Sequence, residues 1–308
     1  MSHFDYAPIL TDDYFHGVPL KLDHQPNALM GTALVEDSYR ITEVEEQPVR
    51  YSNEPIIAPD KPWETFIQAP YALFDEEDGL YKMWYSTRHY NPDYQPDWET
   101  NLEAGNCGKF VCYAESKDGV HYIKPELDIV PFGQWKKNNI VFADSDVGAT
   151  MGTVILNPDR SVKDHRFIMV WSDGYGVRIS YSPDGLRWGD TTEVTNIPMD
   201  TSLVLAFDKS RSVWQLFCRP AIFAKHEKQP AEKDVCPNLN YRRNVCLMES
   251  PDLVSWSIPR LIFHADENCV ASQADNVAFC TVGNCPVVFV HLFPVRNIDE
   301  CLNQYMLP

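Results

Sequence analysis

The sequence predicts an all-β fold, a five-bladed β-propeller, on three observations. A short phrase recurs: Ser116-Lys117-Asp118-Gly119-Val120-His121-Tyr122, then Ser182-Pro183-Asp184-Gly185-Leu186-Arg187-Trp188, then Ser250-Pro251-Asp252-Leu253-Val254-Ser255-Trp256. The copies start 66 and 68 residues apart. Each follows an apolar, β-rich run: Phe110–Ala114, Val177–Tyr181 and Val245–Met248. Ser-x-Asp-Gly is turn chemistry, because the carboxylate caps nearby backbone N–H groups and Gly accepts positive φ. The aromatic three residues beyond Gly, or beyond Leu253 in the third copy, then has a buried slot to fill. A self-similar unit of this length built from strands reads as a propeller blade.

The remaining strands follow in order. Pro70–Asp75 and Leu80–Tyr85 flank Glu76-Glu77-Asp78-Gly79, a hairpin loop closed by Gly. Thr153–Leu156 and Phe167–Trp171 flank a turn rich in Asn, Pro and Asp. Ser202–Asp208 and Val213–Phe217 flank Lys209–Ser212, and Val277–Cys280 and Val287–His291 form a fourth pair with no turn phrase after it. Upstream, Val18–Leu22, Leu29–Val35 and Tyr39–Thr42 are strand-like runs that can complete the ring, since a propeller closes by letting one terminus finish a blade begun by the other. Five units of about 62 residues account for the 308-residue chain, as one domain over 1–308, with four blades as the alternative. No linker or low-complexity tract divides it.

Composition narrows the function classes. A net charge of −18 argues against nucleic acid or an anionic membrane as partner. An acidic surface with 12% aromatic residues suits a soluble enzyme or binder of neutral or cationic small molecules. No apolar run of ~18 residues exists to span a bilayer, and no secretory signal follows Met1. The nine cysteines include no C-x-x-C pair; Cys107 and Cys112, and Cys280 and Cys285, are five apart without His partners at zinc spacing. They read as reduced thiols, which places the chain in the cytoplasm. Neither a metal nor a cofactor is expected: there is no Gly-rich phosphate loop, no H-E-x-x-H and no G-x-S-x-G.

Several runs together resemble a known superfamily. They are Pro62-Trp63-Glu64, Gly79–Tyr85, residues 116–127, Asn138-Asn139-Ile140-Val141, the phrase at 182–188, and Arg242-Arg243 leading into Ser250–Leu253. Residues 45–308 resemble the glycosyl hydrolase-like propellers of the invertase and arabinanase superfamily. The resemblance implies a five-bladed propeller and an axial funnel lined by three carboxylates on successive blades. By position within the repeat these are Glu64, Asp200 and Asp275, with Asp144 or Asp146 at the intervening unit. Glycosidases need one carboxyl as acid and another as base or nucleophile. None of the three lies in an invertase-like Asn-Asp-Pro-Asn-Gly or Arg-Asp-Pro motif; each can equally cap a strand entrance.

Candidate substrate contacts surround them. Lys61 lies in a rigid Pro-rich turn. Trp63 is either core or a stacking platform for a sugar. His89 ends a strand before the loop-like stretch 91–108. Arg219 and Arg243 flank the loop-like excursion 224–241 and suit an anionic or carbonyl oxygen. Gln273 precedes Asp275 by two residues. Two function classes stand: a glycoside hydrolase with paired carboxylates in the funnel, and a non-hydrolytic cyclase or isomerase of small-molecule, secondary metabolism that works by shape and hydrogen bonding. A lectin-like binder is a third.

Overall fold

In the computed structural model the described residues are 47, 49–89, 101–105, 107–144, 148–199, 202–220, 244–263, 273–282 and 285–293. The predicted strands at 18–42 lie outside them. The regular secondary structure of the described residues is almost entirely β. Its one helical element is a 3-10 turn at Lys163–His165. Three antiparallel sheets of four strands follow one another: β1 (Gln68–Asp75), β2 (Leu80–His89), β3 (Cys107–Ser116) and β4 (Ile140–Phe142); β5 (Thr150–Leu156), β6 (Phe167–Ser172), β7 (Val177–Ser182) and β8 (Gly189–Thr195); β9 (Val204–Asp208), β10 (Val213–Cys218), β11 (Val245–Ser250) and β12 (Arg260–Phe263). A two-stranded sheet of β13 (Gln273–Val282) and β14 (Cys285–Phe293) comes last. In each four-stranded sheet the spatial order equals the chain order.

By its contacts the chain forms two compact units, Pro48–Ala278 with Phe289–Pro308, and Met1–Gln47 with Phe279–Val288. Of the second, the structure describes Gln47 and parts of β13 and β14, where Val287 is buried. All that follows concerns the first.

Strand alternation sends successive side chains to opposite faces, and both faces of the first two sheets are apolar. In β2 and β3, Met83, Tyr85, Phe110, Cys112 and Ala114 join a cluster with Trp63, Phe132 and Ile140. Their neighbours Trp84, Val111 and Tyr113 turn the other way, onto Met151, Val154, Phe167, Met169 and Trp171 of the second sheet. On that sheet's far face Ile168, Val170, Val177 and Ile179 meet Leu205, Trp214, Leu216, Cys218, Cys246 and Met248 of the third. The sheets therefore stack face to face.

All three recurring phrases fall between the third and fourth strands and share one hydrogen-bond pattern. In the second copy the Asp184 and Gly185 amides donate to Ser182 Oγ at 3.3 and 2.8 Å. The Leu186 and Arg187 amides both donate to Asp184 Oδ1 at 2.8 Å. Asp118 and Asp252 each take the same two amides. Gly119, Gly185 and Leu253 have φ of 76°, 79° and 64°. Leu253 thus holds the left-handed conformation that glycine holds elsewhere, with its side chain buried in the core between the second and third sheets. Tyr122, Trp188 and Trp256 occupy matching places but are half-buried, not buried as predicted.

The turn end of the first sheet carries a buried charge cluster. Asp75 Oδ2 receives Arg166 Nη1 at 2.9 Å and lies 2.8 Å from Lys82 Nζ, while its Oδ1 takes a second bond from Arg166 Nη2. Both cations sit over the Phe167 ring, at 4.9 and 4.8 Å.

Candidate functional site

Antiparallel order dictates which loops share an end. The start of β1, the end of β2, the start of β3 and the end of β4 lie together, and the register confirms it: Gln68 faces Ser86, His89 faces Cys107, and Val111 faces Phe142. The same end of the second sheet holds Thr150, Ser172, Val177 and Thr195, and that of the third holds Val204, Cys218, Cys246 and Phe263. Bonds between sheets join like ends. Ser86 Oγ accepts the Met151 amide at 2.9 Å, Thr153 Oγ1 accepts the Leu205 amide at 2.9 Å, and Ser202 Oγ donates to Asn276 Oδ1 at 2.8 Å. The first strands β1, β5, β9 and β13 therefore begin at one end, opposite the recurring turns.

Glu64 stands at this end, just before β1, in a closed network. Its Oε1 accepts the Tyr85 hydroxyl at 2.6 Å. Its Oε2 accepts Lys124 Nζ at 2.6 Å and the amides of Asp60 and Lys61 at 3.1 and 3.3 Å. Lys124 spends its other donors on the Ala58 carbonyl at 2.7 Å and Asp60 Oδ1 at 2.6 Å. Tyr85 in turn accepts Asn139 Nδ2 at 2.8 Å, and Asn139 Oδ1 accepts the Trp63 indole at 3.0 Å. The Glu64 side chain is wholly buried and that of Lys124 is 6% exposed. A carboxylate and an ammonium can share such a site because every donor and acceptor is met. Burial, followed by the neighbouring Cys112 thiol and Glu64, raises Tyr85 far above the ordinary tyrosine range. Tyr85 is therefore a fixed hydrogen-bond donor at any ordinary pH.

The other candidates take varied places. Trp63 is buried in the core cluster, 6.4 Å between ring centroids from Trp135, and presents no exposed stacking face. Lys61 is half-buried and gives its amide to Glu64. His89 ends β2 with its ring edge-on to Phe132 and Trp135, at 5.8 and 4.9 Å. Burial lowers its pKa, against a smaller raising effect from the Pro62 backbone. Arg219 is buried directly after β10. Asp144 is half-buried directly beyond β4. Asp200, Asp146 and Arg243 lie outside the described residues, as do the side chains of Gln273 and Asp275, whose backbones open β13. Among the described residues the structure thus gathers Lys61, Trp63, Glu64 and His89 at one corner and sets Arg219 at the same end of the third sheet.

The head of β1 is irregular. Ala69 has φ of 49°, and the pairing with β2 shifts between Gln68 and Tyr71. A non-glycine residue in that region stores about 1–3 kcal/mol, and such strain collects where a strand end is aimed at something. Lys124, Tyr85 and Asn139 are the residues sequence reading missed. Their partners lie 60, 21 and 76 residues away, beyond any local pattern.

Among the described residues no three His, Cys, Asp or Glu are grouped to hold a metal ion, and no helix is long and apolar enough to cross a membrane. No protein-family model matches the sequence, and no curated protein matches it. Solved structures do resemble it. An N-acetylgalactosamine deacetylase from F. plautii shares 17% identity at a TM-score of 0.48, over 78% of this chain and 66% of that one. A β-1,2-mannobiose phosphorylase from Listeria innocua shares 13% at 0.46, over 80% and 76%. A β-fructofuranosidase from Schwanniomyces occidentalis shares 13% at 0.46, over 76% and 41%. The chain thus spans just under two thirds of the deacetylase and well under half of the fructofuranosidase. At these identities and scores no substrate or reaction carries over.

Proposed function

We propose that this chain is a glycoside hydrolase-like enzyme acting on a small glycoside, with its site at the end where the first strands begin. The supporting observation is the common origin of β1, β5, β9 and β13 at one end. It supports a shared mouth for Glu64 ahead of β1, Asp200 ahead of β9 and Asp275 at the start of β13, although 136 and 75 residues separate the three in sequence. The reading includes the five-bladed ring, closed by the N-terminal runs at 18–42, over one domain of 308 residues. Asp200 and Asp275 serve as the acid and base pair. Glu64 completes the carboxylate set from its network with Lys124 and Tyr85. Arg219, Arg243 and Gln273 serve substrate oxygens.

The test is a broad glycoside panel with Asp200→Asn and Asp275→Asn. Loss of a general acid or base costs about 10²–10⁴ in rate, and each variant is expected to show it at an unchanged thermal midpoint. Release of no reducing sugar by the parent chain from the whole panel overturns the reading.

A second reading rests on Glu64 itself. Both its oxygens are already spent on Tyr85 and Lys124, which suits a pocket of fixed shape better than a carboxylate that must exchange a proton. That pocket serves a non-hydrolytic cyclase or isomerase. Under it the two Asp variants keep most turnover, and loss follows truncation of Arg219 or Arg243.

A further inference from the structure

Cys218 and Cys246 face each other directly across β10 and β11. They belong to the same buried cluster, with Leu216 and Trp214 on one strand and Met248 on the other, so their side chains leave the same face of the sheet. Both are free thiols. Opposed residues of an antiparallel pair have Cα atoms about 4.5 or 5.5 Å apart, and either spacing lies within the range a disulfide accepts. Cys218 is the last residue of β10 and Cys246 the second of β11. Between them runs the connection 219–244, the longest link between neighbouring strands of any of the four-stranded sheets.

We propose that Cys218 and Cys246 are an oxidation site, a dithiol that closes to a cross-strand disulfide and ties together the two roots of the 219–244 connection. With glutathione disulfide as oxidant, one cysteine thiolate attacks a glutathione sulfur and expels one glutathione thiolate. The second cysteine thiolate then attacks the protein-bound sulfur and expels the other. Two protein thiols are oxidised, one glutathione disulfide is reduced to two glutathiones, and the two thiol protons go to the released thiolates. Position at a strand terminus provides access, because strand ends open locally at far lower cost than the sheet centre. Burial pushes both thiols up, with the neighbouring Cys246 adding to the rise at Cys218. Exchange is therefore slow at neutral pH and faster under mild alkali.

The decisive experiment incubates the whole chain with glutathione disulfide at pH 8.5, blocks residual thiols and maps peptides by mass spectrometry without reduction. A peptide joining Cys218 to Cys246, lost on adding dithiothreitol, is the expected result. The thermal midpoint is expected to rise by about 5 °C or more, as closing a loop of this length does, and the rise should vanish in Cys218→Ala and Cys246→Ala. Mapping of the parent chain decides the matter even where those variants fold poorly. Glutathione left as a mixed adduct on either cysteine, a cross-link from either to a different cysteine, or two thiols that stay free throughout would each overturn the proposal.

Discussion

The indole N–H of Trp84, in the second strand of the first sheet, donates to the main-chain carbonyl of Gly185 in the recurring turn of the second, at 2.7 Å. The two residues also touch: a Cβ placed on Gly185 would come within 2.7 Å of the Trp84 ring. One residue of a turn whose φ of 79° favours glycine is thus the seat for the largest side chain of the neighbouring sheet.

Gly185→Ala should therefore be costly twice, through backbone strain of about 1 kcal/mol and through displacement of a ring with no room to move. Trp84→Phe should cost about 1–3 kcal/mol by leaving the carbonyl unmet. In urea titrations the double variant should lose less than the sum of the two. Additive losses would show that the residues do not act together.

Ser182 is expected to act like a helix N-cap, since its hydroxyl satisfies two turn amides, that of Gly185 buried and that of Asp184 partly so. Ser182→Ala should cost about 1–2 kcal/mol; Ser116→Ala should match it, because its hydroxyl takes the same two amides, and Ser250→Ala should cost somewhat less, because its hydroxyl takes the Asp252 amide alone. A loss confined to one of the three would break the equivalence of the turns.

Breaking one partner of the Glu64–Lys124 pair should be severe, about 3–5 kcal/mol for Lys124→Met, because a buried carboxylate then lacks its counter-charge. Glu64→Gln combined with Lys124→Met should recover much of that loss, as both charges leave together. Thermal melts of the two single variants and the pair measure this directly. A double variant no better than Lys124→Met would mean that Tyr85 and the loop amides, not the ion pair, hold the corner.

Acid should act through Asp75. Burial alone would raise its pKa, but hydrogen bonds from Arg166 and Lys82 and their charges outweigh it and hold the carboxyl well below its ordinary 3.8. A group depressed on folding stabilises the native state above its unfolded pKa and ceases to do so as pH falls toward the folded value. Stability should accordingly decline below about pH 4. The decline should be shallower in Asp75→Asn, which is less stable at pH 7. Parallel pH profiles for the two proteins would remove Asp75 from the account.

The interior strands were legible in the sequence because their apolar runs are bounded by turn chemistry, and β2, β3, β6, β7, β9, β10 and β11 fall where those runs lie. The outer strands β4, β8 and β12 were not read as strands. Gly189–Thr195 is mostly exposed and Arg260–Phe263 wholly so, and a strand open to solvent on its outer edge needs no apolar period. The aromatic of each turn was placed correctly but given too deep a slot: Trp188 covers the edge of Trp84, at 6.5 Å, rather than entering a pocket. The candidate site was half legible. Position in the repeat gathers Glu64 with the strand starts, yet nothing near Lys124 in sequence announces that it neutralises a carboxylate 60 residues earlier.

The double-faced burial of β2 leaves its alignment open to error. Where one face of a strand meets water, a slip of one residue exposes apolar side chains and is punished at once. Here Trp84 looks to one core and Tyr85 to another, and a slipped strand would still be fully covered by carbon. What distinguishes the right alignment is the small set of interior polar appointments, Trp84 with Gly185 and Tyr85 with Glu64. A chain carrying Trp84→Phe and Tyr85→Phe together would keep its greasy interior and forfeit the marks by which neighbouring strands know their proper partners.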